Sequence, residues 1–231
     1  MSPMITFKRP DGRECSGFFA DAKDAKAGEK APGVVVIQEW WGLNDQIKGV
    51  ANRLSSAGYR TLVPDLYRGK LGLDAKEAEH LMSNLDFSDA ATQDIRGAIQ
   101  YLKRTGSEAA VMGFCMGGAL TILTVVNVPE VDAGVCWYGC PPLEYVDASK
   151  IKAPLIGHFA TQDAFFPPEQ IAALEASLKA AGVKYEFYRY QAHHAFANET
   201  IKDPPIPIKY DLPSADLAWK RTMEFLKRNV G

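Results

Sequence analysis

The stretch Gly113-Phe114-Cys115-Met116-Gly117-Gly118 follows a short apolar run and precedes a run, 119–123, with the composition of a helix. A strand, a sharp turn and a helix in this order form the G-x-S-x-G nucleophile elbow, here with Cys in place of Ser. The flanking glycines leave room for the strained backbone on which the nucleophile sits. The pattern therefore predicts that Cys115 is a nucleophile. The N-terminus of the helix that begins at Met116 would favour its thiolate form.

Two further groups follow Cys115 in the order nucleophile, acid, base that an elbow hydrolase requires. Asp163 comes just after the apolar run 153–160, and His194 follows the alternating run 183–190. Functional groups of a parallel sheet collect at the carboxyl ends of its strands. We therefore expect the three side chains to meet, with His194 as the base and Asp163 as the group that orients it.

Each of these residues has a simpler interpretation when it is taken alone. Cys115 could be a buried thiol in a tight turn, and Asp163 could be the N-cap of the helix that follows it. A single His is usually an ordinary surface or core residue. His158 lies inside a predicted strand, where a structural role is expected. The conjunction of three residue types in the required order favours the catalytic interpretation.

Length and composition bound the remaining possibilities. With 231 residues, 47% of them hydrophobic, the chain is expected to form one domain over residues 1–231. A net charge of −2 does not indicate the basic surface that binds nucleic acid. No run is apolar enough to span a membrane, and residues 1–30 lack the apolar region of a signal peptide. We expect a cytoplasmic monomer that binds neither nucleic acid nor membrane.

The cysteines favour the same compartment. Cys15, Cys115, Cys136 and Cys140 form no C-x-x-C pair, and no His lies nearby at a metal-like spacing. Four free thiols suit a reducing cytosol. Neither a metal ion nor a cofactor is predicted.

Strands and helices alternate along the chain. Met4–Lys8 and Glu14–Ala20 flank Pro10-Asp11-Gly12 and predict an antiparallel hairpin at the N-terminus, followed by a charged loop over 21–30. Besides the elbow strand, strands are predicted at 34–38, 59–63, 131–137, 154–160 and 183–190. Besides the elbow helix, helices are predicted from Asn44 to about 57 and at 74–84, 88–104, 168–181 and 214–230. This alternation is typical of the α/β class, with a mostly parallel sheet covered by helices on both faces.

The motifs together resemble the dienelactone hydrolase family, the cysteine branch of the α/β-hydrolases. They occur in the family's order and extend over nearly the whole chain. The matching segments are Gln38-Glu39-Trp40-Trp41-Gly42, Pro64-Asp65-Leu66-Tyr67, Gly113-Phe114-Cys115-Met116-Gly117-Gly118, Trp137-Tyr138-Gly139, Asp163 and His194-Ala195-Phe196-Ala197-Asn198. The resemblance implies the α/β-hydrolase fold and hydrolysis of a small lactone or activated ester through an acyl-cysteine intermediate.

The resemblance also assigns roles to single residues. The family's base directly precedes a small residue and a Phe, which favours His194 over its neighbour His193. The Glu that Glu39 matches hydrogen-bonds the resting thiol and takes its proton once substrate binds. Trp40 and Trp41 predict a partly apolar cleft, in which the pKa of Glu39 would rise, although a surface position is the default for a carboxylate.

Further residues are expected around the substrate. The backbone N–H groups of Met116 and Trp40 would form the oxyanion hole. Trp41, Tyr138 and Phe165 are candidate walls of the substrate pocket, although each could equally belong to the core.

One departure from the family concerns substrate charge. Members that cleave dienelactone bind the substrate's carboxylate with two arginines. Arg68 is the nearest match to one of them, and Asn198 stands where the other is expected. Loss of one cation weakens the capture of an anion, so another lactone or an activated ester is the expected substrate.

Two other functions are compatible with parts of this pattern. A non-catalytic binding protein can use a hydrolase fold, but the complete set of Cys, Asp and His argues against it. A thiol redox sensor centred on Cys115 would need a resolving thiol, for which Cys136 and Cys140 are the candidates.

Overall fold

The computed structural model describes residues 3–23, 30–202 and 205–231, apart from the side chain of Thr105. Eight strands form one sheet in the order β1-β2-β4-β3-β5-β6-β7-β8. They are β1 Met4–Lys8, β2 Glu14–Ala20, β3 Gly33–Ile37, β4 Arg60–Pro64, β5 Ala109–Phe114, β6 Ala133–Trp137, β7 Leu155–Gln162 and β8 Tyr185–His193. The pairs β1–β2 and β2–β4 are antiparallel and all others are parallel. The mostly parallel sheet and the N-terminal hairpin are thus confirmed.

Helices cover both faces of this sheet, as predicted. They are α1 Asp45–Ser56, α2 Ala75–Ser83, α3 Phe87–Asp89, α4 Arg96–Thr105, α5 Met116–Asn127, α6 Pro168–Ala180 and α7 Leu212–Val230. Apolar side chains of α1 and α7 pack with one face of the sheet, and those of α4, α5 and α6 pack with the other. Within the described ranges, no helix is long and apolar enough to cross a lipid bilayer.

The central strands are apolar along their whole length because helices cover both of their faces. All five residues of β3 and all six of β5 are buried. α1 begins where the side chain of Asn44 accepts a hydrogen bond from the N–H of Ile47, as its N-cap position predicts.

Several boundaries differ from the sequence-based expectation. The helix predicted at 88–104 contains a π-helical segment, Ala90–Ile95, between α3 and α4. β6 begins at Ala133, two residues after the predicted start, and the side chain of the preceding Asp132 accepts the N–H of Ala109 at 2.8 Å. β8 continues to His193, beyond the predicted end at 190, so that His194 directly follows a strand. Residues 24–29 of the predicted loop lie outside the described residues.

Candidate active site

Cys115 forms the turn between β5 and α5, and its backbone is strained. Its φ is 55° and its ψ is −116°, a conformation that a residue with a side chain rarely adopts. The turn is held by the Cys115 N–H, which donates to the Trp137 carbonyl at 3.0 Å, and by the Cys115 carbonyl, which accepts from Ala119 at 3.1 Å. The thiol is half-buried at the start of the helix.

Two glycines let the elbow pack this closely. A Cβ atom on Gly113 would overlap the carbonyl group of Gly117, and one on Gly117 would lie 2.5 Å from the carbonyl oxygen of Ile37. α5 can therefore approach β3 and β5 only with glycine at both positions. The sequence pattern around Cys115 follows from this close approach.

Asp163 and His194 meet at the carboxyl ends of β7 and β8. The Oδ2 atom of Asp163 lies 2.8 Å from Nδ1 of His194. The other carboxylate oxygen accepts the backbone N–H groups of Phe165 and Phe166 at 2.8 and 2.9 Å. Asp163 thus fixes a turn as well as the imidazole, whereas the N-cap of α6 is Pro167.

The surroundings of His194 favour its protonated form. Burial by itself lowers its pKa, but Cys115 and Asp163 outweigh that effect and raise the pKa to about 10. His193 is half-buried at the end of β8, opposite Gln162, and it does not line the cavity described below. Of the two neighbouring imidazoles, the structure therefore brings His194 to the other candidate groups.

Glu39 is a buried carboxyl group with two hydrogen-bond donors. The hydroxyl of Tyr138 donates to Oε1 at 3.2 Å, and Nδ2 of Asn198 donates to Oε2 at 2.8 Å. Burial raises the pKa of Glu39, while Asn198, His194 and Tyr138 oppose part of that rise. The apolar cleft expected around Glu39 is present.

Tyr138 contacts both Glu39 and His194. It directly follows β6, is fully buried, and has a φ of 37°. Its ring centroid is 5.2 Å from that of His194, edge to face. Of the four non-glycine residues with positive φ in the described chain, Cys115, Tyr138 and Ala195 lie at this site. Such a concentration of strained backbone is typical of functional sites.

A cavity of about 390 Å³ joins these groups to the surface. Cys115, His194 and Glu39 line it together with both oxyanion-hole candidates, Met116 and Trp40. Met116 is the first residue of α5, so its N–H has no acceptor within the helix. Of the three candidate wall residues, Trp41 and Phe165 line the cavity, and Tyr138 does not.

Arg68 and Asn198, the two candidates for binding a substrate carboxylate, both point elsewhere. Arg68 forms an ion pair with the buried Asp94, at 2.7 Å, and donates to the Asp65 carbonyl at 2.8 Å. Asn198 is buried, and its Oδ1 accepts from Thr200 while its amide nitrogen contacts Glu39. A buried carboxylate needs a partner, and Asp94 and Glu39 find theirs in Arg68 and Asn198. The structure does not bring either residue to the cavity lining.

Other parts of the cavity were not identified from the sequence. Glu79 and Met82 of α2 and Phe87 of α3 line it, as do Phe166 and Cys140. For the residues of α2 and α3, the helical periodicity of the sequence indicates which face of the helix is covered, but it does not indicate a pocket. In the described part of the chain, no cluster of three or more His, Cys, Asp or Glu side chains is arranged to hold a metal ion.

A parallel sheet flanked by helices, with an elbow at the end of its central strand and candidate acid and base groups after later strands, defines an α/β-hydrolase. The model of the dienelactone hydrolase family matches residues 17–230, and the chain belongs to that family. It is therefore, by class, a carboxylic ester hydrolase.

Relatives of known sequence are similar over most of their length. Protein usf of Aquifex pyrophilus is 30% identical, with 98% of each chain covered. A protein of Escherichia coli strain K12 named "Putative carboxymethylenebutenolidase" is also 30% identical, over 91% of this chain and 82% of its own.

Solved structures have the same fold. The crystal structure of a dienelactone hydrolase-like promiscuous phosphotriesterase from metagenomic libraries superposes with a TM-score of 0.86 at 22% identity, with 99% of each chain covered. The structure titled "Putative Dienelactone Hydrolase" from Klebsiella pneumoniae gives a TM-score of 0.82 at 24% identity, over 98% of this chain and 99% of its own.

Proposed function

We propose that this protein hydrolyses small lactones or activated esters through an acyl intermediate on Cys115, with His194 as acid and base and Asp163 as its orienting group. The observation that carries the proposal is the relation of three groups: Cys115, on a strained backbone, and His194 line one cavity, and a carboxylate oxygen of Asp163 lies 2.8 Å from Nδ1 of His194. Nucleophile, base and orienting group in this relation can perform acyl transfer.

Acylation begins when the Cys115 sulfur attacks the substrate carbonyl carbon. Glu39 is the acceptor of the thiol proton, because it lines the same cavity and its raised pKa lets a carboxyl group hold a proton. The backbone N–H groups of Met116 and Trp40 stabilise the oxyanion. The carbon–oxygen ester bond then breaks, and protonated His194 gives its proton to the leaving oxygen.

Deacylation uses the same groups in reverse order. Neutral His194 takes a proton from water, and the resulting hydroxide attacks the thioester carbon. The carbon–sulfur bond breaks, the leaving Cys115 thiolate takes back the proton held by Glu39, and the acid product loses its own proton on release. A thiolate is a good leaving group, so this pathway suits lactones and esters with weakly basic leaving groups. The preference for activated esters and lactones therefore follows from the use of a cysteine as nucleophile.

The test is the turnover of p-nitrophenyl acetate followed by peptide mass spectrometry of the quenched enzyme. The expected result is a steady release of p-nitrophenol with an acetyl group on Cys115. A folded Cys115→Ala protein should release none above background. Turnover in that variant, or acetyl groups on other residues alone, would contradict the proposal. Oxidation of Cys115 to a disulfide without any ester turnover would favour a redox sensor instead.

A further inference from the structure

The charges around the cavity are unusual for a site that would bind an anion. Two carboxyl groups line it, the buried Glu39 and the exposed Glu79 of α2. Among the described residues, no Lys or Arg lines it. Among the described lining residues, His194 is the single potential cation, and its charge is balanced by the Asp163 carboxylate, 2.8 Å from Nδ1.

Arg68 and Lys70, the two cations that follow β4, do not line the cavity. Arg68 is bound to Asp94 through two hydrogen bonds of 2.9 and 2.7 Å. Lys70 lines a separate surface depression, together with Glu77 and His80. Nη2 of Arg68 reaches both oxygens of this buried carboxylate, and such a charge-assisted contact holds the guanidinium outside the cavity.

The walls of the cavity are apolar and largely aromatic. The rings of Trp40 and Trp41 are 5.0 Å apart and meet edge to face. On the other side, Phe165 and Phe166 lie 4.9 and 5.6 Å from the His194 ring. Met82 adds a flexible apolar side chain. Such walls stabilise a substrate by burying its apolar surface.

We propose that this cavity selects neutral, apolar acyl groups and lactones and discriminates against those that carry a carboxylate. The proposal rests on the hydrolytic function proposed above and adds the charge class of its substrate. A carboxylate that entered here would lose its hydration, find no unpaired cation, and face two groups of its own charge. A neutral chain or ring would lose little hydration and gain contact with the aromatic walls.

The experiment compares two esters with the same leaving group and the same acyl length: p-nitrophenyl valerate and mono-p-nitrophenyl glutarate, which ends in a carboxylate. The leaving group is shared, so a difference in kcat/KM reports on the acyl group. The neutral ester should be preferred by on the order of a hundredfold, since a carboxylate loses hydration in the apolar cavity and gains no cation there.

A pair of variants tests the origin of the preference. Glu79→Gln removes one carboxylate from the cavity and should raise the kcat/KM of the glutarate ester, relative to the valerate ester, by roughly threefold to tenfold. Glu77→Gln is the matched control, because Glu77 lies on the same helix, outside the cavity, and loses the same charge. The ratio between the two esters should not change in that control.

The outcomes separate the two proposals. Equal kcat/KM values, or a preference for the glutarate ester, would overturn the selectivity and leave hydrolysis through Cys115 standing. An unchanged ratio in Glu79→Gln would overturn its electrostatic origin. If neither ester were hydrolysed and no acyl group formed on Cys115, the proposed function would fail, and the selectivity with it.

Discussion

The side-chain amide of Asn198 donates a hydrogen bond to Oε2 of Glu39 at 2.8 Å, across 159 positions of sequence. The Oδ1 atom of the same amide accepts two hydrogen bonds from Thr200, which fixes which way the NH₂ group points. Asn198 therefore acts on the carboxyl group of Glu39 rather than on a substrate. Its effect on catalysis should pass through the protonation and position of Glu39.

Asn198→Leu should lower kcat for p-nitrophenyl acetate about tenfold to a hundredfold while KM changes little, because a hydrogen bond to a charged group is worth about 1.5–3 kcal/mol. The variant keeps the volume of the side chain but removes the donor to Glu39. Steady-state kinetics on the purified variant measures both constants. Thr200→Val is the control, since it removes one contact to Asn198 and leaves the bond to Glu39 in place. A rise in KM with kcat unchanged would return Asn198 to a role in substrate binding.

His194→Ala should be far more damaging than His193→Ala, by roughly a hundredfold or more in kcat, the usual cost of losing a positioned general base. Only His194 contacts Asp163, while His193 ends β8 outside the cavity. The two residues are adjacent and both are imidazoles, so each variant controls for the other. A larger loss in His193→Ala would show that the base is assigned to the wrong residue.

The features that the sequence predicted well are those in which local chemistry decides the structure. The hairpin has the predicted bounds because Pro10-Asp11-Gly12 allows a turn between two alternating runs. The elbow is recognisable because close packing of α5 demands glycine at Gly113 and Gly117. The positions of Asp163 and His194 follow from strand ends, which apolar runs locate to within a few residues.

Long-range side-chain pairing could not be inferred in the same way. Arg68 looks like a substrate ligand from its place after the Pro64-Asp65-Leu66-Tyr67 segment, yet Asp94, 26 positions away, binds it. The sequence leaves Tyr138 open as a pocket wall or a core residue, and in the structure it is buried with its ring 5.2 Å from that of His194. Neither spacing nor periodicity encodes which of several distant partners a polar side chain finds, because burial in the folded protein decides it.

Iodoacetamide should modify Cys115 in the native protein and leave the other three thiols unmodified. Cys15, Cys136 and Cys140 are buried, and burial raises the pKa of each; the pKa values of Cys15 and Cys140 reach about 12. The thiolate is the reactive form, so these thiols should be unreactive at neutral pH. Peptide mass spectrometry after a short exposure identifies the modified residue, and an unfolded sample provides the control in which all four react. Native labelling at Cys140, which also lines the cavity, would show that burial does not protect it.

Glu39→Gln should gain stability relative to the wild-type protein as the pH rises. Burial raises the pKa of Glu39 in the folded state above the ordinary value of 4.5. A group with a raised folded pKa contributes its full stability below its unfolded pKa and loses that contribution as the pH rises through the folded pKa. Gln cannot ionise, so the difference in the free energy of unfolding should grow in its favour across that window. Urea unfolding from about pH 4 to about pH 9 measures the difference. Glu224→Gln, at an exposed position of α7, is the control.

The same variant separates the catalytic role of Glu39 from its structural cost. If Glu39 accepts the thiol proton, Glu39→Gln keeps the shape but loses the acceptor, and Cys115 stays protonated in the complex. The value of kcat should then fall more than KM rises, because an interaction made only during the reaction has been removed. A slow substrate should accelerate the alkylation of Cys115 in the wild-type protein, because Glu39 then takes the thiol proton, and Glu39→Gln should lose this acceleration. A Glu39→Gln protein that is more stable at high pH and less active would show that the carboxyl group of Glu39 serves the reaction and lowers the free energy of unfolding. An unchanged kcat would remove Glu39 from the mechanism.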